Sequence, residues 1–202
     1  ALPISVVVVD LNPAGGGRVA DAIARAGGQA RFVQTDVADG GQMRELFAGV
    51  RRDFSRVDIL VNNAGYTHRN QPMLDVPEAV FDRVFAVNVK AIYLAALAAV
   101  PMFRAQGEGV ILNTASTAGL RPRPGLTWYN ASKGAVITMT KSMAAELAPD
   151  RIRVNCICPV AGETGMLADF MGGDTPENRA RFVASVPLGR LSTPSDIADA
   201  AL

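Results

Sequence analysis

The chain has 202 residues, 49% hydrophobic and 19% charged, which is enough for one sizeable core. Its 20 basic and 19 acidic side chains leave a formal net charge of +1 with no long run of one sign, so nothing electrostatic points to nucleic acid or an anionic membrane surface. The longest apolar stretch, residues 84–103, is broken by Asn88, Lys90 and Pro101; it reads as a buried helix rather than a membrane span, and no secretory signal is read ahead of it.

In chain order, a first apolar strand at residues 4–9 ends at Asp10 and Leu11 and is followed by a helical pattern at 17–26. A strand at 30–34 leads through Asp36 and Val37 to a helix at 42–54. A strand at 57–61 runs out at Asn63, Ala64 and Gly65 before a long helical pattern at 77–105 that contains Asn88. A strand at 110–113 precedes Ser116 and a helix at 132–147, and a last strand at 153–157 reaches Pro159. Near-continuous apolar strands alternating with amphipathic helices predict an α/β fold with a doubly wound parallel sheet, in one domain over residues 1–202. Segment 159–176 mixes glycines with Met166, Leu167, Phe170 and Met171. It is expected to be either a lid over an apolar substrate, extending to about residue 190, or a long surface loop.

The chemistry is concentrated in WYNASKGAV. Tyr129 and Lys133 are four apart in a helical stretch and so share a face. A phenol ionises near pH 10, and an adjacent ammonium is expected to lower that value until the tyrosine can exchange protons near pH 7. Asp10 closes an apolar strand, where a carboxylate can accept from the ribose hydroxyls of a dinucleotide and repel a 2′-phosphate; the plain alternative is a turn-opening acid before Asn12 and Pro13. Leu11 stands where a phosphate-binding arginine could be, which favours NAD over NADP. Asp36, with Val37, is expected at the adenine, or else as the cap of the helix at 42–54. Small residues at Asn63, Ala64 and Gly65 allow close backbone approach to a cofactor, or make an ordinary turn. His68, Arg69, Arg121, Arg123 and Trp128 flank the expected pocket. His68 is the only histidine and has no cysteine or carboxylate at ligand spacing, so no metal site is expected. Thr114 occupies the first glycine position of a G-x-S-x-G elbow around Ser116, which argues against a hydrolase. Cys156 and Cys158 share a strand face without the geometry for an easy mutual disulfide; they read as reduced core residues and suit a cytoplasmic setting.

VVVVD at 6–10, TDV at 35–37, NNAG at 62–65, Asn88 in VNV, Ser116 and the Tyr129–Lys133 pair, in this order and spacing, resemble the short-chain dehydrogenase/reductase family over nearly the whole chain. PLGRLSTPSDIADAAL is similar to the segment after the lid in 3-oxoacyl thioester reductases and related sugar or alcohol dehydrogenases. The resemblance implies a Rossmann-like fold and hydride transfer between a secondary alcohol and a ketone. It implies Ser116 holding the substrate carbonyl, Tyr129 as acid/base, Lys133 binding the nicotinamide ribose, and Asn88 anchoring a water that leads to Lys133. A purely structural helix-kink role for Asn88 stays open. Pro159 and Thr164 match positions beside the nicotinamide, with Val160 where the family commonly has glycine. Homodimers or homotetramers paired through the long helices are implied as well. The family's glycine-rich phosphate loop lies roughly 20 residues before the residue that Asp10 resembles, and only nine residues precede Asp10. The first strand, that loop and the first helix are therefore expected to be missing, and so is the last strand of the sheet, since the chain stops at Leu202 inside a helical pattern. Gly15, Gly16 and Gly17 follow the acidic residue and do not replace the loop. This expectation motivates an alternative, a noncatalytic remnant or scaffold subunit.

Overall fold

The structure is a computed structural model and describes residues 4–202. All of its strand pairs are parallel. β1 (Ser5–Asp10) pairs with β2 (Gln29–Gln34), from Ser5 opposite Gln29 to Asp10 opposite Gln34. β3 (Ile59–Asn62), β4 (Gly109–Thr114) and β5 (Ile152–Ile157) form a second sheet in that order. The five strands thus hydrogen-bond as two parallel sheets rather than one, yet they share a core: Val7 of β1 and Leu60 of β3 pack against the same buried cluster. That cluster joins Met43, Phe47 and Val50 of α2 (Gly40–Phe54) to Ala95, Ala99 and Phe103 of α4 (Ala91–Gln106) and to Ile111, Ile152 and Val154 of the strands.

Capping decides where the helices begin. Asn12 accepts the Gly15 N–H at 3.1 Å and Pro13 takes the first helical position, so α1 (Pro13–Arg25) starts four residues before its apolar periodicity suggests. The glycine run therefore lies inside the first turn, with Gly16 directly under the Phe32 ring of β2. Asp39, not Asp36, caps α2, accepting the Gln42 N–H at 2.8 Å; this corrects the capping alternative for Asp36.

The long pattern at 77–105 is one helical rod in three parts: α3 (Glu78–Phe85), a π-helical turn (Ala86–Lys90) and α4, in which Pro101 is accommodated. The rod packs on α2, α5, β3 and β4, although Tyr93 and Leu97 remain exposed. α5 (Thr127–Leu147) begins five residues before the expected start, which brings Tyr129 into the helix with Lys133. After β5, α6 (Leu167–Met171) and α7 (Pro176–Ala184) lie in the expected lid and gather Leu167, Met171, Phe182 and Val183 around Leu191; α8 (Pro194–Ala201) follows, closed by a Thr193–Asp196 capping box.

Candidate active site

Within each sheet the strands are parallel and end on one edge, and Asp10, Asp36, Asn63, Ser116 and Pro159 lie at or just beyond those strand ends. Ser116 follows β4 and caps a 3-10 turn (Thr117–Gly119), its Oγ accepting the Ala118 N–H at 3.1 Å. That leaves its O–H free to donate. Ser116 also lies near enough to Tyr129 to lower the pKa of the phenol, so it both caps a turn and neighbours the ring. Tyr129 is only 5% exposed, and Phe170 of α6 lies over it with ring centroids 5.1 Å apart.

Lys133, 4% exposed, sends Nζ to the Thr114 carbonyl at 2.7 Å and lies 5.8 Å from the centroid of the Tyr129 ring. Burial lowers its pKa to about 8. The phenol behaves differently from the sequence expectation: burial holds the Tyr129 pKa above its usual 10, and Ser116 works against that rise only in part. The lysine sits over the ring face with its ammonium tied to the Thr114 carbonyl rather than to the phenol oxygen, so its charge does not offset the desolvation of the phenolate.

Asn88 occupies the π turn, 2% exposed. Its Oδ1 accepts the Tyr66 N–H, and its Nδ2 donates to the Tyr66 carbonyl and to Ser132 Oγ, each at 2.9 Å. From within the π turn the side chain clamps the loop after β3 to the rod and to α5. Beneath the site, Asn62 donates to Asn113 at 2.8 Å and Asn113 to Thr140 at 2.9 Å, a buried chain that ties β3, β4 and α5 together.

Asp10 ends β1 with its carboxylate exposed and accepts the Asn12 N–H at 2.8 Å, as a turn-opening acid does; Leu11 beside it is exposed. Asp36 accepts from Ala38 and from Arg83, and Val37 packs against the main core. Asn63 Oδ1 receives the Thr114 hydroxyl at 3.4 Å, with Ala64 and Gly65 exposed beyond it. Pro159 accepts the Thr117 N–H at 3.1 Å, and Thr164 is exposed, its carbonyl holding the Leu167 N–H.

Of the flanking residues, His68 is buried, its Nδ1 2.9 Å from the Arg69 carbonyl. Arg69 donates to the Gly172 carbonyl at 2.9 Å; Arg123 stacks on Phe182 and donates to Ser185; Trp128 donates to the Met73 carbonyl; Arg121 is exposed. These contacts tie loops and the lid segment together. Sequence reasoning missed Asn70, whose Nδ2 donates to Phe170 and Pro124, the Thr114 carbonyl, and Arg83. No group of three or more His, Cys, Asp or Glu that could hold a metal occurs among the described residues.

This combination of parallel α/β layers with a serine, tyrosine and lysine at the carboxyl edge has clear relatives. The family model described as "Enoyl-(Acyl carrier protein) reductase" matches residues 3–202. The 4-formylbenzenesulfonate dehydrogenase TsaC1/TsaC2 of Comamonas testosteroni is 48% identical over 197 residues, 97% of this chain and 78% of that protein. The 2-(R)-hydroxypropyl-CoM dehydrogenase of Xanthobacter autotrophicus is 40% identical over 172 residues, 84% of this chain and 68% of that protein. The crystal structure of a 3-ketoacyl-(acyl-carrier-protein) reductase from Brucella melitensis complexed with NADH superposes with a TM-score of 0.90 at 44% identity, covering 98% of this chain and 78% of that one. The chain belongs to the short-chain dehydrogenase/reductase family.

Proposed function

We propose that the chain is an NAD-dependent oxidoreductase that interconverts a secondary alcohol and a ketone. The observation that carries the reading is the burial of Tyr129 and Lys133 one helical turn apart on α5, with Ser116 near enough to the phenol to act on its pKa. The residues fit a dinucleotide. A Cβ on Gly65 would stand 3.7 Å from Asn88 Oδ1 and 3.8 Å from Lys133 Nζ, so the glycine leaves a cradle that a side chain would fill. Lys133 uses one donor on Thr114 and keeps two for ribose hydroxyls. Asp10 would accept from the adenosine ribose and Asp36 from the adenine, and Leu11 offers no cation for a 2′-phosphate, which favours NAD over NADP. Asn63, Ala64, Gly65, Pro159 and Thr164 would border the nicotinamide half. When bound, the nicotinamide supplies or takes up the hydride.

Ser116 donates its free O–H to the substrate oxygen and holds it beside Tyr129 as negative charge develops. Tyr129, kept protonated by burial, delivers the proton to that oxygen in the reducing direction and removes it in the oxidising direction. Asn88 positions the loop after β3 and Ser132 one turn from Tyr129. Phe170 shields the phenol from water and presents an apolar surface to the substrate. Exposed Tyr93 and Leu97 on α4 support a homodimer or homotetramer formed through the long helices, and the reduced Cys156 and Cys158 suit the cytoplasm.

Calorimetric titration with NADH and with NADPH, for the parent chain and Tyr129→Phe, tests the reading. Both proteins should bind NADH more tightly, and only the parent should turn over alcohols. Turnover by Tyr129→Phe at the parent rate would refute the mechanism. A folded chain that binds neither dinucleotide would refute the enzyme reading in favour of a scaffold.

A further inference from the structure

Asp36 lies two residues beyond β2, and its carboxylate is gripped from two sides. Oδ1 accepts the Ala38 N–H at 2.9 Å and Oδ2 accepts Arg83 Nη1 at 2.9 Å, while Gln42 fixes the Asp36 backbone by accepting its N–H at 2.7 Å. Arg83 comes from α3, 47 residues along the chain. With side chains 35% and 24% exposed, this is the most enclosed ion pair among the described residues. Burial works to raise the Asp36 pKa, but the Arg83 and Ala38 hydrogen bonds prevail and hold it below the ordinary carboxylate value. The carboxylate is thus ionised and oriented, and a carboxylate with two acceptor positions occupied keeps others open.

We propose that Arg83 is a positioning residue for adenine recognition: it locks the Asp36 carboxylate so that its open lone pairs meet the exocyclic amino group, the donor that distinguishes adenine from hypoxanthine. The inference rests on the dinucleotide reading above. Without Arg83, the aspartate loses the charge-assisted hydrogen bond that defines its rotamer, and an amino group would meet a carboxylate free to turn to water.

The test is steady-state kinetics with NAD and with nicotinamide hypoxanthine dinucleotide for the parent, Arg83→Met, Arg83→Lys and Asp36→Asn, with denaturation midpoints to confirm folding. The parent should prefer NAD. Arg83→Met should raise KM for NAD about tenfold, the equivalent of one lost charge-assisted hydrogen bond, at unchanged kcat, and leave KM for the hypoxanthine analogue as it was. Arg83→Lys should recover part of the preference, because an ammonium supplies the charge without the planar fork. Equal effects of Arg83→Met on both dinucleotides, or none on either, would overturn the proposal. If Arg83→Met does not fold, an Arg83→Lys enzyme with the parent's full KM for NAD and full preference, or with equal losses for both dinucleotides, would overturn it as well. If Asp36→Asn abolishes the preference and the Arg83 variants do not, the positioning role alone fails. If Asp36→Asn keeps the preference, the placement of adenine at Asp36 fails and the proposal falls with it.

Discussion

Gly119→Ala should damage catalysis without altering any group that performs it. Gly119 closes the 3-10 turn that starts at Ser116, and that turn rests on the backbone of α5. A Cβ on Gly119 would stand 2.7 Å from the Lys133 carbonyl carbon and 2.8 Å from both the Lys133 carbonyl oxygen and the Gly134 nitrogen. These are helix backbone atoms and cannot rotate aside. To reach ordinary contact at 3.4 Å the turn must retreat by about 0.7 Å, carrying Ser116 away from Tyr129. Misplacement near 1 Å costs on the order of a hundredfold in rate, so kcat should fall roughly 10- to 100-fold, and overpacking should cost about 1–3 kcal/mol of stability. Steady-state kinetics and urea unfolding measure both. Gly17→Ala is the control, since nothing lies within 4 Å of its Cβ position, and it should keep kcat and gain about 0.5–1 kcal/mol in its helix. A Gly119→Ala enzyme with the parent's kcat and stability would refute the close-packing argument.

Since burial raises the Tyr129 pKa above its ordinary value near 10, alcohol oxidation, which needs phenolate, should keep climbing with pH up to that ordinary value, while ketone reduction, which needs the phenol, should show no loss from this group over the same range; initial rates in both directions check this. Lys133 titrates at about 8 when folded against 10.5 unfolded, so the unfolded chain holds more protons between those values and the lysine's contribution to stability rises with pH across that window. The difference between the parent and Lys133→Met in urea midpoints should show that rise, and a flat difference would contradict the burial of the ammonium. Thr140→Val should cost about 1–3 kcal/mol by stranding the buried Asn113 Nδ2 donor, whereas Thr140→Ser should cost less than 1 kcal/mol; denaturant unfolding separates them, and equal losses would assign the effect to packing.

The strand ends and the shared face of Tyr129 and Lys133 were legible in the sequence because both depend on local periodicity: β4 and β5 follow their apolar runs, and Tyr129 and Lys133 need only a helix to become neighbours. Boundaries set by distant partners were not. β3 begins at Ile59 rather than Val57 because the Gln106 side chain, from the end of α4, takes the backbone N–H and carbonyl of Val57. The α1 boundary was available in Asn12–Pro13, a cap that the apolar pattern outweighed, and Thr175–Pro176 marked α7 in the same way. The Asp36–Arg83 pair joins residues 47 apart that no motif connects, and the raised Tyr129 pKa depends on how deeply the ring is packed, which spacing alone does not reveal.

The π turn at Ala86–Lys90 makes chain length itself part of the site. Such a turn holds one residue more than the α-helical turn it replaces, so α3 and α4 are out of phase by one residue compared with an unbroken α-helix. Removing one residue from this turn would let the rod close as an unbroken α-helix with α4 keeping its faces, so the loss would fall on the turn itself, where Asn88 clamps the loop after β3. Tyr93 and Leu97 would stay exposed and Ala95 and Phe103 buried. The extra residue therefore serves the placement of Asn88 rather than the packing of α4, and a deletion here should loosen the loop after β3 while sparing the core.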